Sequence, residues 1–366
     1  MDEIATDRYV TGSEPIALWV VPVGDFGGVA RHVLDAATTG IPGWRIVVLA
    51  PPGAFIDACH VAGVPTIAAA FGPEHGLLRS VATLRRATSR LRPTVVHTHL
   101  AYADIAAGIA FATRRGPKLV STEHGISGDP SLYQRSGLHS VLMTRAHSLR
   151  LRSFAGVIAV SHSTSEQIRK RWRPPGRLPI EVIPNGVNPE PRESSELRPG
   201  LRIATLSRLS HEKRLKSTLE AFAELHRREP TATLTVAGEG PDRAALVDVC
   251  TDLGINEAVE FSGFVDSREL LRRTDVIVQL SAWENCSYTL LDALAAGVGV
   301  VATPVGGNPE MLGSSGLVAS DDPRIIADAL LAQAREPILR PTLPSDWPSR
   351  AQMTAAIAGF YERVER

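Results

Sequence analysis

Two cations five residues apart, Arg208 and Lys213, stand just past an apolar stretch at 202–206 and just ahead of a helical one at 216–228. An arginine fork and a lysine point charge beyond a strand end can hold a diphosphate. The plainer alternative is a pair of solvated surface charges. Lysine usage favours the first reading, because only Lys118, Lys170, Lys213 and Lys216 are lysines among 39 basic residues. A second group lies at 281–292. Glu284 follows a buried apolar run, and Asp292 comes eight residues later, about two helical turns on. On one side of a helix start, the two carboxylates would suit vicinal hydroxyls such as those of a hexose or a ribose. The other reading is helix capping, with Glu284 or Ser287 accepting from free N–H groups. The residues alone leave both open.

Glycines and histidines supply the remaining candidates. Gly27-Gly28 follows the first apolar stretch and would let backbone approach a ligand closely. Gly238-Glu239-Gly240-Pro241 and Gly306-Gly307 follow strands of the second half, where turns are the simpler account. His97 and His99 share a strand face by their i, i+2 spacing, and Glu123-His124-Gly125 ends the next strand. Three histidines near one sheet edge raise a metal. That reading is set aside because no Cys, Asp or Glu set with zinc-like spacing accompanies them. His124 is the histidine singled out; the other eight are taken as surface or structural.

The elements that must position these residues alternate in type. Apolar strands are expected at 16–23, 45–50, 94–97, 118–122, 156–160 and 180–183, with helices between, one of them arginine-rich at 77–92. After a Pro-, Glu- and Ser-rich linker at 186–200 the pattern restarts, with strands at 202–206, 233–237, 259–261, 276–280 and 298–302 and helices at 216–228 and 288–296. Short apolar runs separated by helices imply parallel sheets covered on both faces. The fold class expected is therefore α/β, with two Rossmann-like doubly wound units facing across a cleft. An amphipathic helix at 351–366 carries Ile357, Phe360, Tyr361 and Val364 on one side. Residues 1–14 are acidic, lack an apolar core and read as a mobile leader.

Composition narrows the function classes. Hydrophobic residues make up 44% and charged residues 21%, as in a globular protein. No apolar run reaches the roughly 18 residues of a membrane span. Aromatics are only 5%, with no stacking platform for nucleic acid. Cys59, Cys250 and Cys286 lie far apart and suit a reducing cytoplasm. The zero net charge divides unevenly: 20 basic and 13 acidic residues up to position 185, 19 and 26 beyond it. Eight basic residues fall between Arg145 and Arg177 (Arg145, Arg150, Arg152, Arg169, Lys170, Arg171, Arg173, Arg177), interleaved with Leu142, Met143, Leu149, Leu151 and Phe154. They read either as a solvated arginine-rich face or as a contact with anionic lipid at the inner membrane face.

In order along the chain, GlyGly after the first strand, TEHG (122–125), AVSHSTSEQI (159–168), VIPNGV (182–187), LSRLSHEKRL (206–215), AGEGPDRAAL (237–246), FSGFV (261–265) and SAWENCSYTLLDALAAGVGVVATPVGGNPEML (281–312) resemble the retaining GT-B glycosyltransferases of glycosyltransferase family 4. The resemblance implies an N-terminal acceptor domain at 15–185, joined by the helix at 351–366, and a C-terminal nucleotide-sugar domain at 186–350. It implies that Arg208 and Lys213 bind the donor diphosphate. Glu284 would open the family's Glu-x7-Glu motif and hold a sugar hydroxyl. Asp292 would take the second position, usually a ribose contact, one methylene shorter than usual. His124 would face the donor sugar, Gly28 the phosphate or the acceptor, and Gly263-Phe264-Val265 the base. Gly238, Asn285, Cys286, Ser287 and Leu290 complete the donor side, and Gly27 and His99 the acceptor side. Asn285-Cys286-Ser287 departs from the Gly-Phe-type residues common after that glutamate, which implies an altered pocket floor.

The implied reaction moves a hexosyl unit from a UDP- or GDP-sugar to a hydroxyl of a glycan, glycolipid or small molecule, with retention. No metal or other cofactor is expected. A place in cell-envelope or polysaccharide biosynthesis is expected with it, and a lipid-linked acceptor would suit the anionic-lipid reading of the basic stretch at 145–177. Two further classes stay open: a sugar-nucleotide epimerase of the same architecture, and a non-catalytic sugar-nucleotide binder.

Overall fold

The computed structural model describes residues 13–112, 116–125, 147–189 and 200–366. It divides into two compact units, Met1–Gly186 with Pro348–Arg366, and Val187–Trp347. Most of the expected linker, at 190–199, and most of the expected leader lie outside the described residues.

The first unit is built on strands β1 (Ile16–Val20), β2 (Arg45–Ala50), β3 (Thr66–Ala68), β4 (Val95–His99), β5 (Lys118–Glu123), β6 (Gly156–Ala159) and β7 (Ile180–Val182). They form one parallel sheet in the order β3-β2-β1-β4-β5-β6-β7. The apolar run of β1 is continuous because both its faces are covered. Ile16, Leu18 and Val20 enter one core, while Ala17, Trp19 and Val21 enter the other. The strand expected to run to residue 23 stops at Val20, although the Val21 N–H still reaches the Leu49 carbonyl at 2.9 Å. Pro22 has no N–H to continue the ladder. The three-residue edge strand β3 was not anticipated, and so short a run carries no period.

The second unit holds β8 (Arg202–Leu206), β9 (Thr233–Ala237), β10 (Val259–Gly263), β11 (Val276–Gln279) and β12 (Gly299–Ala302). These are again parallel, in the order β10-β9-β8-β11-β12. Each sheet has its chain reversal next to its central strand, where open α/β sheets place ligands at the carboxyl ends of the strands.

The last helix, Arg350–Glu365, opens on a capping box of Ser349 and Gln352. Its Ile357, Phe360, Tyr361 and Val364 fill the first unit's core beside Trp19 and Val48. The Tyr361 hydroxyl accepts from Trp19 Nε1 at 2.9 Å and lies 2.6 Å from His97 Nδ1. No helix among the described residues is long and apolar enough to cross a membrane.

Candidate active site

In the second unit the segment after β8 makes a 3-10 turn, His211–Lys213, before the helix Leu215–Arg228. That turn is tied to the loop after β11. The Ala282 N–H donates to the Glu212 carbonyl at 2.8 Å, and the Thr289 hydroxyl donates to the Leu206 carbonyl at 2.9 Å. Lys213 Nζ therefore meets Glu284 Oε1, which also accepts from Ser281 Oγ at 2.8 Å. The Lys213 and Glu284 side chains are 20% and 11% exposed. Arg208 is exposed, and its guanidinium has no partner among the described residues. The loop after β8 thus carries two cations, one held by a carboxylate and one exposed, and groups of this kind can meet an anion.

Glu284 and Asp292 are not on one helix. The helix begins at Tyr288 with Ser287 as its N-cap, so Glu284 lies in the loop ahead of it. Asp292 points elsewhere and accepts from Ser267 Oγ at 3.2 Å. The two-turn relation that the spacing implies is therefore absent, because the first four of the eight residues are loop. Of the two capping candidates, Ser287 caps and Glu284 does not. Ser287 also donates to Gln279 at 2.9 Å. Leu290 is fully buried in the core and Asn285 nearly so, while Cys286 packs partly against that core.

Two glycines hold these loops. Gly306, at φ +56°, lies so close to the Glu284 loop that a Cβ would stand 1.6 Å from the Glu284 carbonyl oxygen. Gly238, at φ +121°, presses on the loop of Arg208, with a Cβ position 2.0 Å from the Ser207 oxygen. Their absent side chains are replaced by backbone, so Gly238 shapes the site from behind. Gly263 ends β10, Phe264 beside it is 71% exposed, and Val265 packs on the core. In the first unit Gly27 and Gly28 open the helix Gly28–Thr39, with open space where their Cβ atoms would stand.

The histidines of the first unit gather differently from their spacing. His97 is turned inward, its ring nitrogens on the Tyr361 hydroxyl and on Thr122 Oγ1 at 2.7 Å. The third partner of His99 and His124 is His32, from the helix Gly28–Thr39. His99 Nδ1 lies 2.8 Å from His124 Nε2, and His32 Nδ1 lies 2.9 Å from Asn185 Oδ1. His32 escaped the sequence reading; its one signal was an i, i+4 relation to the core residue Ala36 on an apolar face. Burial brings His32 down to about 4 and holds His97, His99 and His124 well below the usual imidazole range. All four are neutral near pH 7. Leu100, next after His99, has φ +71° and ψ +148°. A non-glycine held there costs of order 1–3 kcal/mol, so the end of β4 is under strain.

Beneath this cluster sits a buried ion group that the sequence did not reveal. Arg150 pairs with Asp104 at 2.5 Å and with Glu123, the residue before His124. Thr98 and Ser121 hydroxyls donate to Asp104 at 2.5 and 2.8 Å. Burial raises both carboxyls, and the Arg150 guanidinium opposes it. Arg150 thus leaves the expected basic face, and Leu151 and Phe154 are core residues. Arg152, Arg169, Lys170, Arg173 and Arg177 remain exposed. Arg145, Leu142 and Met143 lie outside the described residues.

Two doubly wound parallel-sheet units, one with a cation pair and a carboxylate at its strand ends, define the GT-B architecture of glycosyltransferases. Residues 26–191 match the family described as Glycosyltransferase Family 4, and residues 200–335 match that described as Glycosyl transferases group 1. The chain is 30% identical to glycogen synthase of Mycobacterium tuberculosis, over 95% of this chain and 94% of that one. It is 28% identical to a phosphatidylinositol N-acetylglucosaminyltransferase subunit of Arabidopsis thaliana, over 85% and 73%. The fold is similar to that of Anabaena HepE in complex with UDP-glucose, at a TM-score of 0.76 and 21% identity over 96% and 97% of the chains. The protein belongs to glycosyltransferase family 4 and is a glycosyltransferase. These relatives do not favour the epimerase alternative.

Proposed function

We propose that the protein moves a hexosyl unit from a UDP- or GDP-sugar to an acceptor hydroxyl with retention of configuration. The observation that carries this is the Lys213–Glu284 contact, with Arg208 exposed on the same loop after β8 and without a partner among the described residues. Arg208 and Lys213 receive the diphosphate, and Glu284 accepts from a sugar hydroxyl through its remaining oxygen lone pairs. Charge developing on the departing phosphate is met by these two preorganised cations. The acceptor hydroxyl attacks from the side the nucleotide leaves, so no enzyme nucleophile is needed, and the cations do this work without a metal. Gly27, Gly28, His99 and His124 serve from the first unit. The solved neighbour that binds UDP-glucose supports a uridine donor. The relative named as a phosphatidylinositol N-acetylglucosaminyltransferase supports a lipid-linked acceptor, with Arg152, Arg169, Lys170, Arg173 and Arg177 as the surface for anionic lipid.

A thermal-shift series with UDP-, GDP- and ADP-sugars tests the donor. Ligand at a hundred times its Kd stabilises the native state by about 2.7 kcal/mol. One base should stand out, and in Lys213→Ala the stabilisation at the same ligand concentration should fall to about 0.4–1.4 kcal/mol. A series with no shift for any nucleotide sugar would remove the reading. Anomeric proton couplings of the product decide retention. Co-sedimentation with anionic vesicles at low salt decides the lipid surface.

A further inference from the structure

Three buried charges share one face of the first sheet, and the transfer chemistry above uses none of them. Arg150, whose side chain is 2% exposed, pairs with Asp104 at 2.5 Å and with Glu123. Asp104 comes from the first turn of the helix Ala101–Phe111, and Glu123 is the last residue of β5. The Thr98 hydroxyl of β4 and the Ser121 hydroxyl of β5 both donate to Asp104. The Trp172 ring covers the guanidinium, 4.8 Å from its central carbon. Side chains alternate along a strand. Thr98, Ser121 and Glu123 therefore point to the Arg150 face. His99 and His124 stand on the opposite face, where His99 lies against Trp19 and its Nδ1 is 2.8 Å from His124 Nε2. The two sets are joined through backbone, since Thr98 precedes His99 and Glu123 precedes His124.

As a source of stability this group is a poor choice. Two carboxyls face one guanidinium, and burial pushes Glu123 up to about 7 in spite of it. Apolar side chains of similar volume commonly hold a core as well or better. What a guanidinium fork adds is direction, because its N–H groups fix a carboxylate in angle as well as in distance. That direction is needed where the chain is strained: Leu100, between His99 and the helix that carries Asp104, holds φ +71°. We infer that Arg150 is a positioning residue for the transfer, gripping Asp104 and Glu123 so that the ends of β4 and β5 are fixed and the rings of His99 and His124 are held in line on the opposite face. It acts through the backbone of the two strands and not on a substrate. The inference rests on the reading that those two histidines serve the transfer.

The test separates placement from stability. Arg150→Met alone leaves two carboxyls buried without a cation and could fail to fold. The triple variant Arg150→Met, Asp104→Asn, Glu123→Gln nearly keeps the volume, buries no charge and still accepts from Thr98 and Ser121. Its Tm should equal or exceed that of the unaltered chain. The ¹⁵N–¹⁵N coupling across the hydrogen bond between His99 and His124 exists only while the two rings are in line. The unaltered chain should show it, and the triple variant should lose it. With the nucleotide sugar that the unaltered chain consumes, kcat should fall about 100-fold, the effect of a displacement of about 1 Å. KM for that donor, which the second unit receives, should stay the same. Absence of the coupling in the unaltered chain, its survival in the triple variant, an unchanged kcat, or a triple variant that unfolds would each overturn the inference. If the unaltered chain consumes no nucleotide sugar, the transfer reading fails, and the ring coupling alone decides whether Arg150 places the histidines.

Discussion

Replacing Tyr361 with Phe removes one oxygen and keeps the ring. That oxygen accepts from Trp19 Nε1 at 2.9 Å and lies 2.6 Å from His97 Nδ1. A hydroxyl has one hydrogen to give, and His97 Nδ1 is the acceptor in reach, so Tyr361 donates there. His97 then carries its own hydrogen on Nε2 and donates to Thr122 Oγ1. Trp19 and His97 are both wholly buried. Phenylalanine would strand an indole N–H and an imidazole lone pair where water does not reach. Each orphan costs about 1–3 kcal/mol. Relaxation of the rings recovers part of this, leaving a loss of about 2–4 kcal/mol. At about 2–4 °C per kcal/mol for a unit of this size, Tm falls by roughly 5–15 °C. Near-UV circular dichroism with heating of the intact chain is the assay. The second unit contains none of these groups, so nucleotide binding at low temperature should persist. A fall under about 2 °C would show that the hydroxyl satisfies nothing.

Three further expectations come from the same geometry. Lys213→Ala removes a charge-assisted contact of about 1.5–3 kcal/mol, so the Kd for a nucleoside diphosphate, measured by calorimetry, should rise roughly 10–100-fold; an unchanged value would displace Lys213 from the site. Gly306→Ala places a methyl on the Glu284 carbonyl at positive φ, so the loop must move and nucleotide-dependent stabilisation should disappear in thermal shift, while Gly313→Ala, also at positive φ but in open space, should cost only stability. Acid should destabilise the first unit. His32 titrates at about 4 folded against 6.5 unfolded, so the unfolded chain protonates first, and stability that is full above pH 6.5 is lost as pH falls toward 4, by about 3 kcal/mol for this residue. His97, His99 and His124 act in the same direction. Glu123 and Asp104, raised by burial, act oppositely, losing stability as pH rises. Four imidazoles outweigh two carboxyls, so Tm should drop between pH 7 and 4.5; a flat profile would refute the burial argument.

The sequence made the strands legible because buried parallel strands are unbroken apolar runs. Arg208, Lys213 and Glu284 were legible because they follow such runs within one unit of chain. Asp292 was misjudged through the phase of a helix: spacing told of two turns, but Ser287 caps the helix that starts four residues after Glu284. His32 and Arg150 were missed for a different reason. Each acts through partners from two or three other elements, at separations of 27 to 153 residues, and no local pattern encodes such a meeting. Arg150 stood among exposed arginines with nothing local to distinguish it.

The helix Arg350–Glu365 also sets the order in which the chain can mature. A core that contains Trp19 and Val48 lacks Phe360 and Tyr361 until the 161 residues of Val187–Trp347 have been synthesised. At roughly 5–20 residues per second that is an interval of about 8–30 s. Through that time the first-made unit waits on the ribosome with part of one apolar sheet face uncovered, while the second unit, continuous in sequence, can close at once. The later segment is thus the earlier to finish folding, and holdase chaperones have their window on the N-terminal half.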